Sequence, residues 1–324
     1  MSITRTPPSR WLLILAFLIV YIVWGSSYIG ISFAIETIPP TVMTGTRFVL
    51  AGAVLMVWAL RVGSPMPTRR QWRSGFIAGG LLFLANNGLI VLATSMGVPT
   101  GVSALLIGTT PMWIVILTSL QDRTRPNSGT LIGLALGTLG IGLLVNLNGA
   151  LSGGSSELLG AVIVIVAALF WALGSLYARN ADMPANPLMS TGIQLFCGGL
   201  LQMALSVANG SLFSMDISAI SFRSVFAMIY LAIFASIIAF TAFTWLMRVA
   251  NPALVTTYAY VNPVVAVILG WIFRGEQLTT RTLLAGAIII AAVVILTRAS
   301  RSTARKPAEQ PAPTSAVDGV IIKV

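Results

Sequence analysis

Apolar residues run through this chain in long blocks, separated by short connections that carry turn-forming or charged residues. The first block begins at Trp11 and lasts past Gly30. It is too long for the core of a signal peptide, and no convincing small-residue cleavage site follows it, so it reads as a membrane span. A helix needs about 20 apolar residues to cross roughly 30 Å of hydrocarbon. Ten segments qualify: 11–33, 41–60, 75–95, 100–120, 129–147, 158–178, 188–208, 224–246, 253–273 and 282–298. Most breaks carry turn chemistry, among them Pro39-Pro40, Gly63 to Arg73, Pro126 to Gly129, Ser152 to Ser156 and Asn251-Pro252. The break near Pro99 is uncharged, and the proline is the reason a long apolar stretch divides there. Residues 1–10 read as a short N-terminal tail, and those after about Ala299, rich in Pro, Ala and Ser, as a disordered tail to residue 324.

Composition supports the same solvent. Hydrophobic residues make up 56% of the chain and charged residues 8%, against roughly a quarter charged in a soluble domain. The net charge of +11 raises nucleic-acid binding, but the basic residues sit in connections between apolar runs, where membrane insertion places them. No nucleic-acid partner is expected. One set of connections and tails holds fifteen Arg and Lys and the opposite set only Arg223, Arg274 and Arg281. That bias puts both termini in the cytoplasm and agrees with an even span count. Cys197 is the only cysteine and histidine is absent, so neither a disulfide nor a metal site is expected, and no cofactor.

The two halves match weakly but in order. Trp24-Gly25-Ser26-Ser27 parallels Trp171-Ala172-Leu173-Gly174; Pro40, Thr44, Gly45 and Arg47 meet Pro187, Thr191, Gly192 and Gln194. Arg73-Ser74 meets Arg223-Ser224, Pro99 meets Pro252, and Pro111 meets Pro263. Each half, 11–147 and 158–298, holds an odd five spans, so the second inserts upside down. Inverted repeats recur in secondary transporters, with the substrate site where the repeats meet.

Trp24-Gly25-Ser26-Ser27-Tyr28, the stretch from Pro40 to Arg47-Phe48, Tyr258 to Val264 and Gly275-Glu276 resemble the EamA-type exporters of the drug/metabolite transporter superfamily. The resemblance covers about residues 11–298 and implies an all-α integral membrane protein of two five-helix repeats. It also implies a central cavity lined by both halves, and export as the direction.

Several residues are candidates for that cavity. Pro111 and Pro263 fall inside spans, where each removes a backbone hydrogen bond and frees the carbonyl near Ile107 or Ala259. Gly108-Thr109-Thr110-Pro111 and Tyr260-Val261-Asn262-Pro263 are thus candidate helix breaks, although prolines also kink helices for packing alone. Asn86 and Asn87 lie mid-span and serve a ligand or glue helices together. Trp24, Trp113, Trp171, Trp245, Tyr258 and Tyr260 supply aromatic surface, with Ser27 and Ser175 beside them; Trp24 and Trp171 also lie near helix ends, where interface anchoring is the alternative. Trp11 and Trp72 read as interface markers. Arg47 is the one ionisable residue well within a span; it snorkels, anchors a carboxylate, or pairs with Glu36 or Glu276 at a gate. Gly133, Ala135, Gly137 and Gly140 form a small-residue face for internal packing or a weak homodimer.

Aromatic walls with scattered hydroxyls and amides suit amphiphilic metabolites, with apolar or aromatic amino acids first, organic cations as the alternative, and a non-transporting membrane scaffold as the third reading. No phosphate-binding Gly-Lys-Ser/Thr motif appears, and the spans hold no Asp, Glu or His for a proton relay. Gradient-driven exchange follows, or coupling through the rim acids Glu36, Glu157 and Glu276. The absence of a concentrated set of buried nucleophiles or acids argues against an enzyme.

Overall fold

The computed structural model describes residues 9–96, 106–144, 155–274 and 280–304, and every regular element in them is helical. Helix α1 (Arg10–Ala34) leads to α2 (Pro40–Arg61), whose Pro40 takes a first-turn position where an N–H would be unpaired in any case. α3 (Arg69–Gly79) passes through a π-helical segment (Gly80–Ala85) into α4 (Asn86–Ser95). α5 (Thr110–Asp122) and α6 (Ser128–Leu144) follow, then α7 (Ser155–Asn180) and α8 (Pro187–Ala208). α9 (Phe222–Tyr230) runs through a second π-helical segment (Leu231–Ala239) into α10 (Phe240–Val249). A single turn, α11 (Pro252–Val255), precedes α12 (Tyr258–Arg274), and α13 (Thr280–Ala304) closes the described chain. Among the described residues six helices can, by length and composition, cross a membrane: Arg10–Ile31, Pro40–Arg61, Arg69–Ala93, Leu159–Asn180, Pro187–Ala208 and Phe222–Val249. Ser128–Gly140 and Leu283–Ala299 are shorter apolar helices.

In lipid, apolar side chains gain little by leaving their surroundings for one another, so helices associate where small residues let backbones approach. The α2–α8 crossing has that form. A Cβ on Gly52 would lie 2.5 Å from the Phe196 nitrogen, and one on Gly199 would lie 2.5 Å from the Val49 nitrogen. α6 lies on α13 in the same way, since a Cβ on Gly133 or Gly140 would come within 2.6 Å of Leu296 or Ile289. A Cβ on Gly137 would meet the Tyr260 ring at 2.7 Å. The glycines of the expected small-residue face therefore pack internally, while Ala135 is exposed. Large apolar side chains such as Trp11, Ile22, Val54, Phe226 and Ile290 cover the outside.

Polar contacts tie the helix ends. Where α1 stops and α9 starts, Arg223 lies 3.8 Å from Glu36 and stacks 3.8 Å above the Phe33 ring. There Ser224 Oγ donates to Phe33 O at 2.8 Å and the Ser221 N–H to Thr37 Oγ1 at 3.1 Å. At the opposite end Asn127 Nδ2 donates to Ala299 O at 3.3 Å.

Some boundaries differ from expectation. The third helix starts at Arg69, not 75, because Thr68 and Gln71 form a reciprocal capping box. The last helix continues to Ala304, past the expected end of its span. Pro99, the rest of the expected tail (305–324) and the N-terminal residues 1–8 lie outside the described residues.

Candidate substrate site

Trp24 reaches the centre of the bundle because its neighbour Gly25 lets α1 approach α12: a Cβ there would lie 2.6 Å from Val265 Cβ. The indole Nε1 donates to Ala235 O, in the second π segment, at 3.1 Å. Around the ring stand Tyr258 (4.7 Å between centroids), Phe243 (5.1 Å), Trp171 (5.9 Å, edge-on) and Phe240 (6.4 Å). Phe83 extends the cluster, 5.2 Å from Phe240 and 6.3 Å from Trp171, and Phe48 follows 4.3 Å from Phe83. Each such pair contributes about 0.5–1.5 kcal/mol beyond the area it buries. Residues of both halves thus form one aromatic cluster. Within it Trp171 Nε1 is buried and donates to nothing among the described residues.

Beside Phe243 lies a narrow cleft. Leu82, Phe243 and Met247 form its apolar wall, Ser175, Gln194 and Thr244 its polar wall. Arg179 and Arg248, at the ends of α7 and α10, line it too. Thr244 Oγ1 shares a hydrogen bond with Thr191 Oγ1 at 2.8 Å, and Ser175 Oγ donates to Trp171 O at 2.8 Å. Arg248 Nη2 donates to Ser190 Oγ at 2.6 Å. Gln194 Nε2 donates to Ser190 O at 3.0 Å, which leaves Gln194 Oε1 buried without a partner among the described residues.

Two interrupted helices flank the cluster. In the first half Leu106-Ile107 is helical, Gly108-Thr109 turns, and α5 opens at Thr110 with Pro111 in its first turn. The carbonyl freed by Pro111 is satisfied locally, with Thr110 Oγ1 donating to Ile107 O at 2.7 Å, while Leu106 O accepts both the N–H and the Oγ1 of Thr109. In the second half the interruption is at Thr256-Thr257, between α11 and α12, and not at Tyr260–Pro263. Thr256 Oγ1 donates to Pro252 O at 3.1 Å and Thr257 Oγ1 to Leu254 O at 2.7 Å. α12 continues through Pro263, which lies beyond its first turn and removes the helical bond to Ala259 O. Tyr21 of α1 braces this break, its hydroxyl 2.6 Å from Thr257 Oγ1. With its amide nitrogen facing two carbonyls, Asn262 donates to Tyr258 O at 3.1 Å and to Tyr21 O at 3.2 Å.

Of the residues nominated by sequence, Trp24, Trp171 and Tyr258 meet in the cluster, Ser175 lines the cleft, and Trp113 and Trp245 pack half-buried against the same core. Ser27 Oγ donates back to Trp24 O at 2.7 Å. Asn86 ties two helices, its Nδ2 donating to Ala167 O at 2.8 Å, and Asn87 is half-buried. Tyr260 belongs elsewhere, fully buried with Val115, Leu134, Ile289 and Leu296. Arg47 does not snorkel: it is buried, with its guanidinium carbon 4.5 Å from the Phe48 ring centroid, and Glu36 pairs with Arg223 instead. Glu276 lies outside the described residues. Sequence reasoning did not nominate Phe83, Phe240, Phe243, Gln194, Arg179 or Arg248 for the site. Only Gln194 carried a signal, as the neutral mate of Arg47 in the repeat.

A bundle of apolar helices around an aromatic cluster and a polar cleft has the build of a membrane carrier, and known proteins agree. The EamA-like transporter family matches this chain twice, over residues 11–146 and 158–298. The chain is 35% identical over 293 residues to the uncharacterized inner membrane transporter YedA of Escherichia coli (strain K12), covering 90% of this chain and 92% of that protein. It is 24% identical over 280 residues to the "Probable amino-acid metabolite efflux pump" of Salmonella typhimurium, covering 85% of this chain and 91% of that one. A crystal structure at 20% identity shares the fold, with a TM-score of 0.74 over 91% of this chain and 99% of its own. The chain belongs to the EamA-like transporter family, within the drug/metabolite transporter superfamily. It is a multi-pass transporter of the bacterial inner membrane and not an enzyme.

Proposed function

We propose that this transporter exports amphiphilic amino acids, those with apolar or aromatic side chains, by alternating access between two inverted five-span halves with both termini in the cytoplasm. The observation that carries the substrate reading is the aromatic cluster at the junction of the halves, with its unspent Trp171 Nε1 and with Phe243 as one wall of the polar cleft. An apolar side chain gains burial and ring contacts there, while the polar cleft accommodates a charged main chain. Arg179 and Arg248 at the cleft disfavour organic cations by like charge. The fifteen-to-three distribution of basic residues supports a cytoplasmic position for the arginine-bearing end. The Salmonella relative, a probable amino-acid metabolite efflux pump, points to the same class of cargo. Exchange along a gradient is the proposed energetics, because the buried residues described include no acid.

The test is counterflow. Liposomes holding the purified protein and unlabelled L-phenylalanine should accumulate external labelled L-phenylalanine, with saturation and with competition by leucine and tryptophan. Trp171→Ala should lower the initial rate about tenfold or more, the scale of removing a well-packed recognition ring. Counterflow of methyl viologen with none of any amino acid would overturn the substrate class.

A further inference from the structure

We propose that the cleft reads both charges of a zwitterionic α-amino acid: Gln194 Oε1 accepts from the ammonium, while Arg248, with Arg179 beside it, binds the carboxylate. This rests on the amino-acid reading above and assigns residues to it. Gln194 is 1% exposed. Its Nε2 donates to Ser190 O at 3.0 Å, and a carbonyl oxygen can only accept, so the amide orientation is fixed and Oε1 is the atom left over. A buried acceptor without a donor is destabilising, and Oε1, closed off from solvent on a residue that lines the cleft, becomes a partner for a substrate donor when the cleft widens. An ammonium supplies such a donor, with three N–H groups.

The cationic half of the site is one residue away. Arg248 Nη2 lies 2.6 Å from Ser190 Oγ, and Gln194 Nε2 lies 3.5 Å from the same oxygen. Ser190 therefore holds the amide and the guanidinium next to each other, as the single carbon between ammonium and carboxylate requires. The planar guanidinium matches a carboxylate better than any other cationic side chain. Leu82, Phe243 and Met247 then take the side chain of the amino acid. Each charge is discriminated separately. An amine without a carboxylate meets arginines of its own sign, and an acid without an ammonium leaves Gln194 Oε1 without a donor.

Competition against labelled L-phenylalanine counterflow tests both halves at once, using the full-length protein in liposomes with phenylalaninamide and 3-phenylpropionate as probes. In the wild type both should compete at least about tenfold more weakly than phenylalanine, the effect of one charge-assisted hydrogen bond. Gln194→Leu should erase most of the discrimination against 3-phenylpropionate and keep that against phenylalaninamide; Arg248→Gln should do the reverse. Gln194→Glu and Arg248→Lys, which keep an acceptor and a cation, should each restore the lost preference. These ratios are taken within one protein, so a general loss of folding leaves them unchanged. If both variants weaken all three ligands equally, or change no ratio, the assignment is wrong although amino-acid transport stands. If wild-type protein shows no phenylalanine counterflow, the amino-acid reading itself fails.

Discussion

At Trp24 one indole meets Tyr258, Phe243, Trp171 and Phe240 and spends its N–H on Ala235 O. Trp24→Phe keeps an aromatic ring and loses the hydrogen bond. It should lower stability by about 1 kcal/mol, read from thermal unfolding in detergent, and slow counterflow several-fold. Gly52 works by absence instead: with the Phe196 nitrogen 2.5 Å from any Cβ, Gly52→Ala should destabilise by about 1–3 kcal/mol in the same assay. At this scale the sequence was legible wherever a residue contrasted with its surroundings. Trp24, Trp171 and Tyr258 stood out as large amphipathic rings in apolar spans. Phe83, Phe240 and Phe243 did not, because a phenylalanine in a span looks the same facing lipid or facing the centre. Arg179 and Arg248 were visible only as topology signals, since an arginine just past a span is what insertion alone would place there.

The two π segments form a pair. Phe83 O, in Gly80–Ala85, accepts from Gln202 Nε2 at 3.2 Å, and Ala235 O, in Leu231–Ala239, accepts from Trp24 Nε1 at 3.1 Å. Each segment's carbonyl is thus held by a side chain of the other half, and each segment lies midway along its helix, a common place for functional bulges. Gln202→Leu should remove one of two bonds to Phe83 O, which keeps the Asn86 N–H, and cost about 0.5–1.5 kcal/mol. Faster amide hydrogen exchange confined to 80–85 and its neighbours would register that loss, and unchanged exchange would argue against the bond's importance. Nothing in the sequence marked these segments, since the extra residue in a π turn leaves no compositional trace. Of the two expected helix breaks, the one at Pro111 is where the proline put it. The other moved to Thr256-Thr257, where each threonine hydroxyl joins its own amide on the carbonyl of Pro252 or Leu254; proline is a visible breaker, whereas a hydroxyl folding back on its own turn leaves no mark in the sequence.

Across the whole molecule the two ends differ. One is clasped by Arg223 with Glu36, Ser221 with Thr37 and Ser224 with Phe33, while the cleft lies at the arginine-bearing end. The Glu36–Arg223 pair is exposed and worth about 1 kcal/mol at most. Glu36→Ala should therefore barely move the unfolding temperature, yet shift the carrier towards opening at the clasped end. Faster labelling of Thr37→Cys by a membrane-impermeant thiol reagent would report that shift. Such a reagent also gives the most direct test of transport through the cleft. In a Cys197→Ala background, Ala178→Cys, at a cleft-lining position less buried than Ser175, should react in oriented membrane vesicles from the arginine-bearing side, and saturating L-phenylalanine should slow that reaction several-fold. If the rate is the same with and without phenylalanine in a variant that still transports it, the amino acid does not pass through this cleft and the carrier reading of the site is contradicted.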